Sequence, residues 1–376
     1  MDISATHAGE LSRSRSAVRL DAEQAGAVAV LLGTLVTLIG LSWDVQWHDD
    51  VGPDTFFTLP HLFLYSGSAI AGFAGLAMVL RATAAQRAGR SAGQLGGGAP
   101  VRVFGGYFTA PLGYLVAGTG AASFLLYGLL DLMWHSIYGF DAVLNSPPHI
   151  ALFLSMSITM AGSVIVFAAA REERWGRAGI AVAVPILMTF TPITALAFQV
   201  LHLPIDPHLL GTIFFVVLLV VLAAGVLRRP FGATAVAMSA GVMQVVLWFF
   251  SPWAARVYAD WVGLPLRDGI EGRLPPIPAA LPMFLIVFAL AVDAIRLLAG
   301  RRGWSGRLVP VALGALGGVI IGSTMAAQRS MFANYPLPPV NFVIMAALWG
   351  IPIGALAGFL GHRLALMLRY RERTEA

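Results

Sequence analysis

The sequence predicts an all-α fold, a polytopic integral membrane helical bundle of about ten transmembrane helices, and three observations carry that prediction. Of 376 residues, 58% are hydrophobic and only 11% charged. A soluble domain carries about 25% charge. The apolar residues also gather into runs of membrane-crossing length, and the basic residues sort onto alternate connections between those runs. The absence of cysteine rules out a disulfide scaffold, thiolate metal sites and cysteine nucleophiles. Low-complexity repeats and charge blocks are missing too, which excludes a fibrous or disordered chain.

A helix of about 20 apolar residues crosses roughly 30 Å of hydrocarbon. The first such run, 24–43, follows residues 1–22, which read as a cytoplasmic tail. It is too long for a removed signal peptide, and no small-residue cleavage site follows it. The second run, 60–80, opens on Pro60. Ala82–Pro100, rich in Ala and Gly, then reads as a flexible linker. The third run, 105–133, and the tenth, 338–367, are long enough to tilt or extend past the bilayer. The fourth and fifth, 148–170 and 178–200, flank a basic turn, and the sixth, 209–227, follows a helix start at Asp206-Pro207. The seventh, 231–251, leads into Pro252–Pro275, which carries Trp253, Asp260, Trp261, Asp268 and Glu271 and reads as an interfacial segment. The eighth and ninth are 276–299 and 307–327; Asp293 and Arg296, three apart in the eighth, are expected to pair.

All 24 basic residues are arginine, and their placement orients the bundle. Twenty fall on the N-terminal tail, the C-terminal tail and every second connection; Arg256, Arg267, Arg273 and Arg329 are the four on the other side. The positive-inside rule therefore puts both termini in the cytoplasm of a multi-pass protein of the inner (cytoplasmic) membrane. The basic pI near 10 reflects orientation in the bilayer, and no nucleic acid partner is expected.

Six of the eight histidines fall on the extracytoplasmic side of this topology: His48, His61, His135, His149, His202 and His208. Ionisable groups at membrane ends usually have a function. The first cluster is Asp44-Val45-Gln46-Trp47-His48, then Asp54-Thr55, then Pro60-His61. Asp44 and His48, at i and i+4, share a helical face, and His61 opens the antiparallel return. Two imidazoles and a carboxylate make a three-ligand set with open positions, suited to copper, iron or zinc. Asp54 is placed to orient an imidazole.

The same grammar recurs 87 residues on: Asp131-Leu132-Met133-Trp134-His135, then Asp141, then Pro147-Pro148-His149, the loop one residue longer. An interfacial Trp and His also serve as a membrane belt, and an Asp–His pair can be a plain hydrogen bond. Recurrence of the whole pattern favours metal ligands and an internal repeat, with copies at about 24–80 and 105–170. The chain thus divides into the tail, a duplicated helical-hairpin metal-binding region at 23–170 and a six-helix region at 171–376. The third cluster, His202, Asp206 and His208, reads first as a polar interfacial turn, with an extra ligand, a gate or a metal-entry site as the alternative.

The run D-x-x-W-H-x5-D-T-x-F-T-x-x-H-x3-Y, here Asp44, Trp47, His48, Asp54, Thr55, Phe57, Thr58, His61 and Tyr65, with Gly67 one residue further on than the family's glycine, resembles the C subunit of particulate methane and ammonia monooxygenases. The resemblance covers roughly residues 25–170 and implies that Asp44, His48 and His61 bind copper. His135 and His149 match a second copper set of that family, with Asp131 where an asparagine is expected. It further implies a copper-dependent monooxygenase, or a subunit of one, that oxidises a small apolar substrate with dioxygen. Asp131, His135 and His149 would form the catalytic set. Trp47, Trp134 and Tyr65 would shape a dry pocket or relay electrons, and Asp54 and Asp141 would orient ligands. Other membrane subunits and an electron donor, a quinol or a redox partner, would complete the assembly. Two other readings stand beside it: a non-enzymatic membrane protein for copper acquisition, storage or delivery, and a small-molecule transporter or assembly factor.

Overall fold

In hydrocarbon no water satisfies backbone N–H and C=O groups, so the apolar runs must satisfy them internally as helices. The computed structural model describes residues 21–52, 55–90, 96–139, 146–332 and 336–370. In chain order come α1 (Ala22–Asp50), α2 (Leu59–Arg87), the strands β1 (Pro100–Val103) and β2 (Phe108–Pro111), α3 (Leu112–Tyr138), α4 (Pro147–Ala169), α5 (Arg174–Ala195), α6 (Pro207–Leu227), α7 (Gly232–Val262), α8 (Pro276–Ala279), α9 (Leu285–Arg302), α10 (Leu308–Phe332) and α11 (Val340–Arg369). Among the described residues nine helices, all but α8 and α9, are long and apolar enough to cross a membrane. The chain is an all-α, multi-pass membrane bundle.

Three elements depart from the sequence expectation. The third run begins as a β-hairpin. Gly105 (φ 66°) and Gly106 (φ 93°) make its turn, and Pro100 pairs with Pro111. Thr83 Oγ1 takes the N–H of Thr109 at 3.0 Å, tying the hairpin to α2, so helix starts only at Leu112. The seventh run does not stop at Pro252; α7 continues to Val262, held by a buried hydroxyl pair between Ser251 and Ser42 (2.7 Å) and by Tyr258 against Trp43.

The eighth run is broken into α8 and α9 around Pro282, which has no N–H and disfavours helix at the residue before it. Two glutamine amides take over the freed backbone groups. Gln244 Nε2 donates to Pro278 O (2.8 Å), and Gln328 Nε2 donates to Ala279 O (2.9 Å) and Leu281 O (2.8 Å). Gln328 Oε1 accepts from Met283 N (2.9 Å). Asp293 on α9, expected to pair with Arg296, lies within electrostatic reach of it and also accepts from the N–H of Ala233 (3.3 Å) and from the N–H and hydroxyl of Thr234 (2.9 and 2.8 Å). A carboxylate there satisfies orphan N–H groups at the start of α7 and complements its dipole.

The first four helices form a closed set: α1 packs on α2, α3 on α4, α2 on α3 and α1 on α4. Close approach depends on absent side chains. A methyl group on Gly33 would lie 2.6 Å from Ala71 N and 2.7 Å from Gly67 O. On Gly120, 87 residues later, it would lie 2.5 Å from Thr159 N and 2.7 Å from Ser155 O, and these partners stand 88 residues after Ala71 and Gly67. The two hairpins therefore meet their partners at corresponding positions, allowing for the longer second loop. Helix α6 runs against α5, α7, α10 and α11 and is the main contributor to the largest apolar core.

Candidate metal centres

Both candidate centres lie where one helix ends and its antiparallel neighbour begins, at the same end of the four-helix set. Asp44 and His48 occupy the last two turns of α1, and His61 stands in the first turn of α2 behind Pro60, whose fixed φ suits a helix start. The structure brings the three together. Asp44 Oδ1 is 3.1 Å from His61 Nε2 and 3.9 Å from His48 Nε2. The second centre repeats this at the end of α3 and the start of α4, with Asp131 Oδ1 3.4 Å from both His135 Nε2 and His149 Nε2. The imidazoles of His135 and His149 lie 5.5 Å apart, ring centre to ring centre. Among the described residues these are the two groups of three or more possible ligands whose atoms lie within 4.8 Å of one another.

The far ring nitrogens show how the sets are poised. His61 Nδ1 is 3.1 Å from Thr55 O, and His135 Nδ1 is 3.0 Å from Gly139 O. A carbonyl only accepts, so Nδ1 carries the proton in each. In a neutral imidazole Nε2 then has a lone pair, and here that lone pair faces a carboxylate oxygen. The contact is repulsive unless the ring takes a second proton or a cation lies between. A metal ion satisfies both groups, and an Nδ1–H held by a backbone carbonyl is the usual way a ligating histidine is oriented. The spacing fits as well. Metal–ligand bonds of about 2.0–2.1 Å in tetrahedral arrangement separate the ligand atoms by about 3.4 Å.

An apolar floor lies under both centres. Val45 and Leu64, on the helices that carry the first set, Phe124, whose ring meets that of Tyr65 (6.0 Å), and Phe153, beside His149 of the second, belong to one buried cluster with Met156 and Met160. His149 stacks on Phe153 at 6.2 Å, and His149 is within electrostatic reach of Asp44. A carboxylate buried in such surroundings is costly unless paired, which sets these two apart from the surface carboxylates.

The remaining sequence-derived residues divide. The ring of Tyr65 lies 6.0 Å from that of His61 and 6.0 Å from that of Phe124, and its hydroxyl donates to Phe56 O (3.1 Å). The rings of Trp47 and Tyr258 meet tilted at 4.8 Å, and those of Trp134 and Tyr138 tilted at 4.5 Å. Asp54 and Asp141 lie outside the described residues. His202, Asp206 and His208 are not drawn together. Asp206 Oδ1 caps α6 by accepting His208 N–H (2.9 Å), His208 Nε2 sits 2.7 Å from Pro192 O, and His202 is exposed. This is the polar-turn reading. Tyr258, against Trp43, Trp47 and Leu59, and Arg267, against Asp50 and Val51, meet the neighbours of the first set from some 200 residues away in sequence and carry no local motif that identifies them. No family model, no curated protein and no solved structure matches this chain.

Proposed function

We propose that the protein is a copper-binding membrane protein of the monooxygenase type, activating dioxygen to oxidise a small apolar substrate that reaches it through the bilayer. One observation carries this reading. Two Asp/His/His sets at one end of the bundle each present imidazole Nε2 atoms to a single carboxylate oxygen, with one Nδ1 in each fixed by a backbone carbonyl. The motif around Asp44, His48 and His61 supports the choice of copper and of oxygen chemistry, zinc and iron being the other ions that such ligands take. The arginine pattern supports cytoplasmic termini, ten crossings and centres facing the extracytoplasmic side of the inner membrane. The recurrence of the motif, and of the Gly33 and Gly120 contacts at matching offsets, supports a duplicated hairpin.

In this reading Asp44, His48 and His61 hold one ion and Asp131, His135 and His149 the second, catalytic one. Copper, when bound, supplies one-electron chemistry toward dioxygen. The protein residues do the rest. The Thr55 and Gly139 carbonyls hold His61 and His135 in the tautomer that puts the Nε2 lone pair toward the ion, and Asp44 and Asp131 neutralise positive charge. Val45, Leu64, Phe124 and Phe153 keep water out and admit an apolar molecule. Electrons come from a quinol or a redox partner, and other membrane subunits complete the assembly.

The test is incorporation of isotope-labelled dioxygen into a small alkene by membranes containing the protein. Labelled product in wild type and none in His135→Ala is the expected result. Full copper loading with no labelled product would replace the enzyme by a protein that acquires, stores or delivers copper, a reading the enclosed ligand sets also suit.

A further inference from the structure

The two centres share ligands and spacing, but their surroundings differ. On α1 the face formed by Trp43, Gln46, Trp47 and Asp50 is buried, Gln46 and Asp50 being 3% and 2% exposed. The positions 87 residues on, Met133 and Ile137, are 53% and 70% exposed. What covers the first face is the end of α7 and the segment after it. Tyr258 lies on Trp47 (4.8 Å) and on Trp43 (5.8 Å), and its hydroxyl accepts the N–H of Leu59 (3.3 Å) in the first turn of the helix that carries His61. Arg267 donates from its backbone N–H to Asp50 O (2.8 Å) and from Nε to Val51 O (3.3 Å), and Arg273 pairs with Asp49 at 3.5 Å. Tyr258 thus touches both helices that supply the first ligand set, and Arg267 holds the connection just beyond His48.

We propose that Tyr258 and Arg267 are positioning residues for the Asp44/His48/His61 set, so that this set keeps its metal when the Asp131/His135/His149 set gives its metal up. The inference rests on the reading that both sets bind metal. The physical argument is that release of an ion bound by ligands from two helices needs those ligands to separate. At the first centre separation means pulling Leu59 N–H off the Tyr258 hydroxyl and Trp47 off its ring. The exposed Arg273–Asp49 pair contributes little; the half-buried Tyr258, wedged between Trp43 and Trp47, is the main restraint. The C-terminal helices therefore make one site retentive and leave the other exchangeable, a division suited to a pair in which only one centre reacts.

The test uses the full-length protein loaded with copper(II) and challenged with excess chelator. His135→Ala retains only the first set, and His48→Ala only the second. Copper should leave His135→Ala at least tenfold more slowly than His48→Ala. Adding Tyr258→Ala to His135→Ala should speed release about 10–100-fold, the usual cost of removing a group that orients a metal ligand, and change the copper(II) spin-resonance spectrum. The same change in His48→Ala should leave release unaltered, which also reports that the fold survives. Tyr258→Phe, keeping the ring on Trp47, should retain most of the slow release. Equal rates from the two single-set proteins, slower release from the second set, or equal acceleration of both by Tyr258→Ala would overturn the proposal. Failure of both single-set proteins to bind copper at all would instead bring down the metal reading, and the proposal with it.

Discussion

Six side chains carry the account, and their neighbours decide what they can do. His61 and His135 each give one nitrogen to a backbone carbonyl and turn the other on a carboxylate, an arrangement that could hold a metal ion. Asp131→Asn keeps an oxygen ligand and removes a charge; weaker binding of a divalent ion at the second set alone, read by competition with a chelator, is the expected result. Ser251→Ala should cost about 1 kcal/mol, because it leaves the buried Ser42 hydroxyl without its partner. A thermal unfolding midpoint in detergent checks it. The candidate ligands are legible in the sequence because their spacing is local: an i, i+4 pair at a helix end and a Pro-His at the next helix start. Tyr258 was not, because a contact between residues 47 and 258 has no trace in either local pattern.

At the scale of elements, helix packing without side chains is what brings the ligands into reach. Gly33→Val should overpack the α1–α2 contact at a cost of about 1–3 kcal/mol and lower metal retention at the first set, leaving the second loaded. Gly120→Val should do the reverse. Gly318→Val, where α10 and α11 meet through Gly350 and Gly354, should lower the unfolding midpoint with both metals still bound. Metal content and unfolding measured on the same preparations separate these outcomes. Helix existence and order followed from apolar runs, since hydrocarbon leaves the backbone no other choice. Helix ends did not follow. Pro252 sits inside α7 because Ser42, Trp43 and Trp47 give the continuing turns something to pack on. The i, i+3 spacing places Asp293 near Arg296, but its three donors at the start of α7 are some 60 residues away and leave no local trace.

For the whole molecule, the sidedness of the C-terminal helices turns on the α8–α9 pair. Its helix α9 carries Asp293 near its middle and Arg296, Arg301 and Arg302 in the half that runs toward α10. If the pair crosses, the arginine pattern holds to the end of the chain and both termini share a side. The absence of cysteine makes this simple to read. A single cysteine placed at Gly269 should react with an impermeant maleimide from the extracytoplasmic side, and one at Ser305 should not. Reaction of both from outside would mean that α9 folds back.

The central claim, two ions held by two Asp/His/His sets, is tested most directly by metal analysis of the purified protein. Wild type should carry two copper ions per chain, His48→Ala one and His135→Ala one. A wild type without stoichiometric metal, or two variants that both keep the full complement, would contradict it.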